Sequence, residues 1–478
     1  MHRRTKIVAT LGPASDAPEV LQKMIDAGLD VARLNFSHGS ADDHRKRASA
    51  LRRAAKKAGR EVGLMGDLQG PKIRVKRFKD HSVDLKDGAS FFLDSTLGLA
   101  DGDENGVGVA LDTLHEDLAP EDILLLNDGM ITLRVDAIDG TRIKTTVING
   151  GILSDHKGIN KKGGGLSAPA LTDIDRENIL LAAELEVDFL AVSFVRSGDD
   201  VHEARRLFDA AGGEGHIVAK VERTEAVENI DSIIDAADVV MVARGDLGVE
   251  MGYAQLTGIQ KKLIRKTRKG SKIVITATQM MESMIQHPIP TRAEVSDVSN
   301  AVMDGTDAVM LSGETAVGKF PVKAVAAMAE VCTGAELFPL PEGMTRHRMG
   351  DNFERTDEAI AMAVMYTANH LDVKAIIALT ESGSTTIWMS RIRSDIPIFA
   401  LTRNLSTLRR VNMYRGVIPV SFDVKATTSP ELYQDVFDTL LEHKLVDVND
   451  RVIFTKGDLS GVSGGTNAMK IIRVATRN

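Results

Sequence analysis

A single cysteine, Cys332, stands in a chain of 478 residues, so no intramolecular disulfide can staple the fold. A reducing compartment is the expected home, and the chain is expected to be cytoplasmic. Positive charge is not in surplus either: 59 Lys and Arg against 67 Asp and Glu leave a net charge of −8. That balance argues against broad binding to nucleic acid or to a membrane surface, while leaving room for a local basic pocket for an anionic metabolite. Long apolar runs are also missing. None approaches the ~20 residues of a membrane span. The run behind the basic N-terminus, Ile7-Val8-Ala9, is too short for a signal-peptide core. What remains is an ordinary globular composition, 43% hydrophobic and 26% charged. The length suits roughly two to four domains.

Residues 217–250 set the pattern for the rest. Ile217-Val218-Ala219-Lys220-Val221-Glu222 and Val239-Val240-Met241-Val242-Ala243-Arg244-Gly245-Asp246 are short apolar runs that end in charge. Such runs read as buried strands of a parallel sheet. The stretch between them, residues 224–237, reads as a helix with Thr224 as its N-cap. This strand–helix–strand unit carries ionic groups that packing does not require. They lie at the carboxyl ends of its strands, the edge where parallel α/β folds bind ligands. Strand-like runs recur at residues 4–11, 31–36, 62–67, 189–195, 217–222, 239–244, 272–277 and 308–311, with helical segments filling the gaps. About eight such units close a (β/α)8 TIM barrel.

After the third unit the rhythm changes. Residues 75–151 alternate apolar and polar side chains between Gly and Asp turns, the pattern of an inserted, mostly antiparallel β domain. Lys161-Lys162-Gly163-Gly164-Gly165 reads as a loop near the return hinge, with a solvated linker as an even alternative. Pro339 and Pro341, after Phe338, break the helical pattern and mark a linker. A second α/β set follows, with strands at 375–379, 398–401, 417–420 and 451–455. The expected division is barrel 1–70 and 157–339, β insertion 71–156, and C-terminal α/β domain 340–478.

The strand ends present a specific chemistry. Glu222 and Asp246 follow adjacent strands, so two carboxylates can converge on one hard divalent cation. Mg²⁺ typically takes one or two carboxylates and keeps positions for substrate oxygens and water. Lys220 points to the same side of its strand as Glu222, because side chains alternate with period two. An ammonium beside a metal suits a phosphoryl group or an enolate oxygen. Arg33 and Arg74 add fixed positive charge and can grip phosphate in bidentate fashion. Gly245 lets backbone N–H groups approach an anion closely. Thr278 and Ser312 end later strands with hydroxyls that could pass a proton, and Glu314 follows two residues after Ser312. Singly, each motif has a bland reading: Lys-x-Glu as a surface ion pair, Arg-Gly-Asp as a turn, Ser-Gly-Glu as a helix cap. Their joint position in one repeating architecture favours a site.

Seven segments carry a resemblance to the pyruvate kinase family over nearly the whole chain. They begin with Lys6-Ile7-Val8-Ala9-Thr10-Leu11-Gly12-Pro13-Ala14-Ser15 and Ala32-Arg33-Leu34-Asn35-Phe36-Ser37-His38-Gly39. Lys220-Val221-Glu222, the run 241–250 and the run 277–284 follow, then 290–298 and Leu311-Ser312-Gly313-Glu314-Thr315-Ala316. The resemblance implies phosphoryl transfer from phosphoenolpyruvate to ADP, then protonation of the enolate to pyruvate, with ATP as the other product. It implies Mg²⁺ or Mn²⁺ on Glu222 and Asp246, and phosphoryl stabilisation by Lys220. Arg33, Gly245, Asp246 and Thr278 would contact phosphoenolpyruvate or pyruvate. His38, Arg74 and Lys157 would lie on the nucleotide side. Asn35, Ser37, Asp67 and the carbonyl of Leu68 match the family's monovalent-cation site. Thr278, the Ser312 and Glu314 pair, or water would protonate the enolate. The inserted domain would be a β-barrel lid and the C-terminal domain regulatory, in a homotetramer.

Two departures accompany this resemblance. Lys72, in Asp67-Leu68-Gln69-Gly70-Pro71-Lys72-Ile73-Arg74, stands where many members carry glutamate. Its ammonium is expected to replace K⁺ and make turnover independent of added potassium. Asn160-Lys161-Lys162-Gly163 replaces the family's common Asn-Leu-Pro-Gly, which changes the lid hinge. Farther on, Thr380-Glu381-Ser382-Gly383-Ser384-Thr385 follows a strand and opens a helix, a phosphate-cradle pattern. It resembles the family's effector site for a sugar phosphate or nucleotide, completed by Lys456-Gly457-Asp458 and Ser463-Gly464-Gly465-Thr466. Two other classes compete: a Mg²⁺-dependent aldolase or lyase barrel, and a metabolite-sensing binding protein. Neither requires Lys220, Glu222, Asp246 and the nucleotide-side residues together.

Overall fold

The computed structural model describes residues 2–338, 352–425, 428–457 and 464–477. Pro339 and Pro341 of the expected linker, and Asp458 and Ser463 of the expected cradle, lie outside them. Eight parallel strands close a barrel: Lys6–Thr10, Val31–Asn35, Gly63–Asp67, Phe189–Val192, His216–Val221, Val239–Ala243, Ile273–Ala277 and Ala308–Leu311. The last pairs with the first, Lys6 opposite Ala308. The strands are apolar on both faces because both are covered. Ile7, Ala32, Leu64, Leu190, Ile217, Val240 and Val309 face the surrounding helices. Val8, Val31, Met65, Ala191, Val218, Met241 and Met310 fill the interior, in one cluster with Met362, Ile376 and Ile453 of the C-terminal domain. The period of two that points Val31, Met65 and Val218 inward also carries Arg33, Asp67 and Lys220 inward, one step nearer the carboxyl ends.

The insertion after the third strand forms a six-stranded sheet and a two-stranded sheet. Pairing between its strands is antiparallel except between Ser90–Asp94 and Gly106–Gly108, and one isolated bridge, Phe78 to Gly102, is also parallel. Its own core includes Leu93, Leu124, Leu133, Ile143 and Val147. The strand Ile159–Lys161 pairs with Ile123–Leu126, so the inserted sheet runs past the return expected at residue 157. The C-terminal sheet runs Val417–Ser421, Ile398–Thr402, Ala375–Leu379, Arg451–Gly457, Thr466–Arg473, the last antiparallel. That fifth, edge strand was not expected: half of it is exposed, and it lacks the continuous apolar run of its neighbours. No helix among the described residues is long and apolar enough to cross a membrane.

The segment 224–237 is two short helices, Thr224–Glu228 and Ile230–Ala236, and its N-cap is Arg223 rather than Thr224. Glu250 explains the shift: its Oε2 accepts the Thr224 amide at 3.1 Å, so a distant carboxylate does the capping. Nor is the basic glycine run a solvated linker. Lys161 pairs with Asp122 at 2.8 Å, the Gly163 amide donates to the Glu250 carbonyl at 3.1 Å, and the Gly165 amide donates to Glu225. Gly163, Gly164 and Gly165 have φ of +85°, +81° and +90°, which side-chain-bearing residues rarely adopt.

Candidate active site

Six buried or half-buried ionisable groups meet at the carboxyl end of the barrel. Lys220 is the hub. Its Nζ lies 3.2 Å from Asp67 Oδ1 and 3.1 Å from Glu222 Oε1, and donates to Ser193 Oγ at 2.6 Å. Arg33 Nε reaches the other oxygen of Asp67 at 2.6 Å, and its Nη1 donates to Thr10 Oγ1 at 2.9 Å. Asp67 is fully buried. Burial opposes its charge, but Arg33 and Lys220 outweigh that and hold its carboxyl below the usual range. Burial likewise works against the Lys220 ammonium, and Asp67 and Glu222 reverse it, holding the group above its ordinary value.

Glu222 is the strained partner. Burial, then the charges of Asp246 and Asp67, push its carboxyl upward against the pull of Lys220. One oxygen accepts the Phe194 amide at 2.8 Å. Asp246 does not end a strand, as the sequence pattern suggested. It lies in the first turn of the helix Arg244–Met251, where a carboxylate complements the helix dipole. Its Oδ1 binds Lys72 Nζ at 2.9 Å, and the same ammonium lies 3.6 Å from Asp128 of the inserted domain. Asp246, after burial's opposing effect, holds the Lys72 ammonium above its ordinary value.

The other expected residues fall into place unevenly. The Gly245 amide donates to Thr278 Oγ1 at 2.7 Å, joining the ends of the sixth and seventh strands. Thr278 and Gln279 have φ of +68° and +53°, a costly conformation for a β-branched residue. Buried Arg244 pins them, donating to the Thr278 carbonyl at 2.8 Å and the Gln279 carbonyl at 3.3 Å. Glu314 accepts the Ser312 amide at 2.7 Å and the Met281 amide at 3.1 Å, and burial raises its pKa. Its contact with Ser312 is therefore through the backbone and not the hydroxyl. Arg74 and Gly158 form a bridge, and the Val75 amide donates to the Lys157 carbonyl at 2.9 Å, so Arg74 and Lys157 share the hinge ribbon. His38 is exposed, beyond the second strand, and forms no hydrogen bond or ion pair with either.

Asn35 and Asp67 are register partners on neighbouring strands. Asn35 Oδ1 accepts the Ser37 amide at 3.2 Å, and the Leu68 carbonyl accepts Ser193 Oγ at 2.7 Å. The Lys72 ammonium rests on Asp246, not on this group. Sequence reasoning missed Ser193 and Thr10. Both are hydroxyls at inward-facing strand ends, the pattern already used for Thr278 and Ser312. In the C-terminal domain, Gly383's amide donates to Thr380 Oγ1 at 2.9 Å, Ser384 Oγ to Asp357 at 2.8 Å, and Thr385 Oγ1 lies 2.6 Å from Thr466 Oγ1.

The donor set at Glu222 and Asp246 suits a hard cation. It holds oxygen only, and among the described residues no three or more His, Cys, Asp or Glu form a group that could hold a metal ion by themselves. Two carboxylates, one raised by burial and by the charge of the other, are a donor set that a hard divalent cation could share with substrate and water.

Comparison with known proteins decides the family. The pyruvate kinase barrel-domain model matches residues 2–325, and the pyruvate kinase alpha/beta-domain model matches residues 358–472. The chain belongs to the pyruvate kinase family. It is accordingly a phosphotransferase of glycolysis that turns phosphoenolpyruvate and ADP into pyruvate and ATP. Pyruvate kinase II of Salmonella typhimurium is 53% identical over 476 residues, 99% of each chain. The pyruvate kinase of Buchnera aphidicola subsp. Schizaphis graminum is 52% identical over 476 residues, 99% of this chain and 98% of that one. That of Haemophilus influenzae is 52% identical over 459 residues, 95% and 96% of the two chains. This kinship removes the aldolase, lyase and binding-protein alternatives.

Proposed function

We propose that Lys220 and Arg33 are the fixed cations of phosphoryl transfer, and that Glu222 and Asp246 hold a divalent ion, Mg²⁺ or Mn²⁺. The supporting observation is the Asp67–Lys220–Glu222 cluster: the ammonium is pinned between two carboxylates 3.2 and 3.1 Å away. It therefore reaches the transferring group without reorganising, which is how a preorganised charge lowers a barrier. The divalent ion, when bound, supplies charge neutralisation for the phosphoryl and enolate oxygens. Arg33, fixed by Asp67 and Thr10, grips the phosphate of phosphoenolpyruvate. The Asp246 amide, in the first turn of a helix, takes its carboxylate, joined by the Gly245 amide once that exchanges Thr278 Oγ1 for the substrate. Thr278, held 2.7 Å from the Gly245 amide, places a hydroxyl beside the same region to protonate the enolate, with Ser312 and Glu314 behind it. His38, Arg74 and Lys157 bind the nucleotide, and the inserted domain closes over both substrates and excludes water. A coupled assay with phosphoenolpyruvate, ADP and Mg²⁺ tests the assignment: Lys220→Met abolishes turnover while Ser384→Ala does not.

Three finer readings accompany it. Lys72 makes turnover independent of K⁺ by keeping a cation at the mouth permanently. The loop Thr380-Glu381-Ser382-Gly383-Ser384-Thr385 takes a sugar phosphate or nucleotide that lowers the apparent KM for phosphoenolpyruvate. Ser384 must then exchange Asp357 for the phosphate. The enzyme works in the cytoplasm as a homotetramer. Sedimentation, a K⁺ titration and a screen of sugar phosphates and AMP test these in turn.

A further inference from the structure

The opposite end of the barrel holds a second concentration of positive charge. A cleft of about 480 Å³ opens there between the barrel and the C-terminal domain. Arg4, Arg268, Arg393 and Arg415 line it, with Glu336 and Asp395 as its acidic residues among those described. Glu336 is already committed, accepting the Arg4 and Thr5 amides at 2.8 and 2.6 Å and pairing with Arg415 at 3.5 Å. Asp395 is exposed and pairs with Arg4. Nearby, Asp307 is spent on buried Arg391. Arg268 and Arg393 are thus left without a carboxylate partner among the described residues. Arg268 donates to the carbonyls of Gly305 and Arg391, both at 2.8 Å, and Arg393 to that of Met303 at 2.6 Å. Both flank Gly305, where a Cβ would lie 3.0 Å from Arg393 and 3.3 Å from Arg268.

Each guanidinium has five donors, so several on Arg268 and Arg393 stay unused by these bonds. Capping the helix Arg292–Asp304 explains one contact on each side but not the converging charge. Burial, then the neighbouring Arg391 and Arg415 charges, lower Arg268 to about 9. Arg393 is lowered to about 10 by burial and by Arg415, against the pull of Asp304, whose own ion pair is with Lys261. An anion between them would relieve that repulsion. The two side chains also come from different domains, so a ligand held by both would clamp the C-terminal domain to the barrel.

We propose that this cleft binds a small dianionic metabolite, a phosphomonoester or a dicarboxylate, gripped by Arg268 from the barrel and Arg393 from the C-terminal domain. Guanidinium forks match both oxyanions in bidentate fashion, and Met303 on the cleft wall offers an apolar contact for the rest of the molecule.

Crystals of the full chain soaked in selenate test the position directly. The expected anomalous peak lies within hydrogen-bond reach of both guanidiniums. In solution, calorimetric titrations with inorganic phosphate and with malonate compare the wild type with Arg393→Ala. Sites elsewhere are untouched by this substitution, so the difference isolates the cleft. The expected change is loss of one binding event, or its weakening by about tenfold or more, with turnover at saturating substrates within about twofold. A stronger phosphate event assigns a phosphomonoester; a stronger malonate event assigns a dicarboxylate. Arg268→Leu is the second variant, and Arg393→Ala alone suffices where it fails to fold. Unchanged isotherms for both anions, no selenium in the cleft, or a cleft closed by residues 339–351 would overturn the proposal.

Discussion

Replacing Lys220 by methionine separates two roles that one ammonium plays. Methionine keeps the length and apolar stem but removes the charge from between Asp67 and Glu222. A unit pair is worth about 4 kcal/mol at 4 Å and an effective dielectric of about 20. Two contacts near 3 Å are therefore a large gross loss, and removing one partner of a buried pair typically costs about 3–5 kcal/mol net. Asp67 keeps Arg33 at 2.6 Å. Glu222 is the group left alone, and its carboxyl already stands above its usual value, so it escapes by taking a proton. The low end follows, about 3 kcal/mol. A dication on Glu222 and Asp246 supplies the missing countercharge, so saturating Mg²⁺ should restore most of that stability. Turnover should not recover: one oxyanion donor is worth about 10²- to 10³-fold in kcat, and a full charge at least as much. Urea unfolding with EDTA and with Mg²⁺, beside a coupled assay of kcat, measures both. Turnover within tenfold of the wild type, or the same stability loss with and without Mg²⁺, would refute the reasoning.

Three further substitutions probe the surroundings. On the proposed stand-in role of Lys72, Lys72→Glu should make turnover depend on K⁺, read from kcat against K⁺ in Na⁺-free buffer; a flat response in the variant would contradict that role. Glu250 has a pKa raised to about 7, chiefly by burial, with Glu225 adding repulsion. Its folded form holds the proton more tightly than the unfolded one, so stability falls as pH rises from about 4.5 to about 7 and levels off above. Glu250→Gln should remove that slope and gain up to about 3 kcal/mol at pH 8, seen in thermal unfolding from pH 5 to 8.5. Gly70 has φ of +69°, and a Cβ there would lie 2.7 Å from Ser193 Cβ and 2.9 Å from Phe194 Cδ2. Gly70→Ala should cost roughly 2–4 kcal/mol, and by pushing Ser193 from Lys220 it should also lower kcat; an unchanged kcat would release Ser193 from its positioning role.

The barrel was legible because its strands are apolar runs that repeat with one spacing, and period two then fixes which side chains face inward. Arg33, Asp67 and Lys220 follow from that rule alone. Ser193 and Thr10 obeyed it as well but carry no charge, so nothing in the sequence made them conspicuous. Asp246 was misplaced by a few residues in kind, as a strand end rather than a helix start, because Gly245 reads equally as a turn. The Thr224 cap failed for another reason: Glu250, 26 residues away, supplies the capping oxygen, and local sequence cannot show it. The glycine run 163–165 looked like a linker because its composition is that of one. Only the folded chain shows its amides spent on Glu250 and Glu225.

Leaving aside the exposed Asp128 on the inserted domain, the inner cluster at the mouth of the barrel is electrically balanced before any substrate arrives. Arg33, Lys72 and Lys220 each lie within ion-pair distance of Asp67, Glu222 or Asp246, three cations against three carboxylates. Phosphoenolpyruvate alone would bring an excess of negative charge to this neutral site, and a dication alone an excess of positive charge. Each offsets the other, so the two should bind with positive coupling, and by linkage the effect is reciprocal. Lys72 adds to it. While its ammonium rests on Asp246 it competes with the ion, and once displaced it becomes a further cation for the anionic substrate. Coupling of about 1–3 kcal/mol is the usual range, or roughly 5- to 150-fold in affinity. Calorimetric titration of phosphoenolpyruvate with and without Mg²⁺ measures it, and Lys72→Met should shrink the coupling by making the ion bind more easily alone. Equal phosphoenolpyruvate affinity in both conditions would mean that the balance among these six side chains does not govern binding.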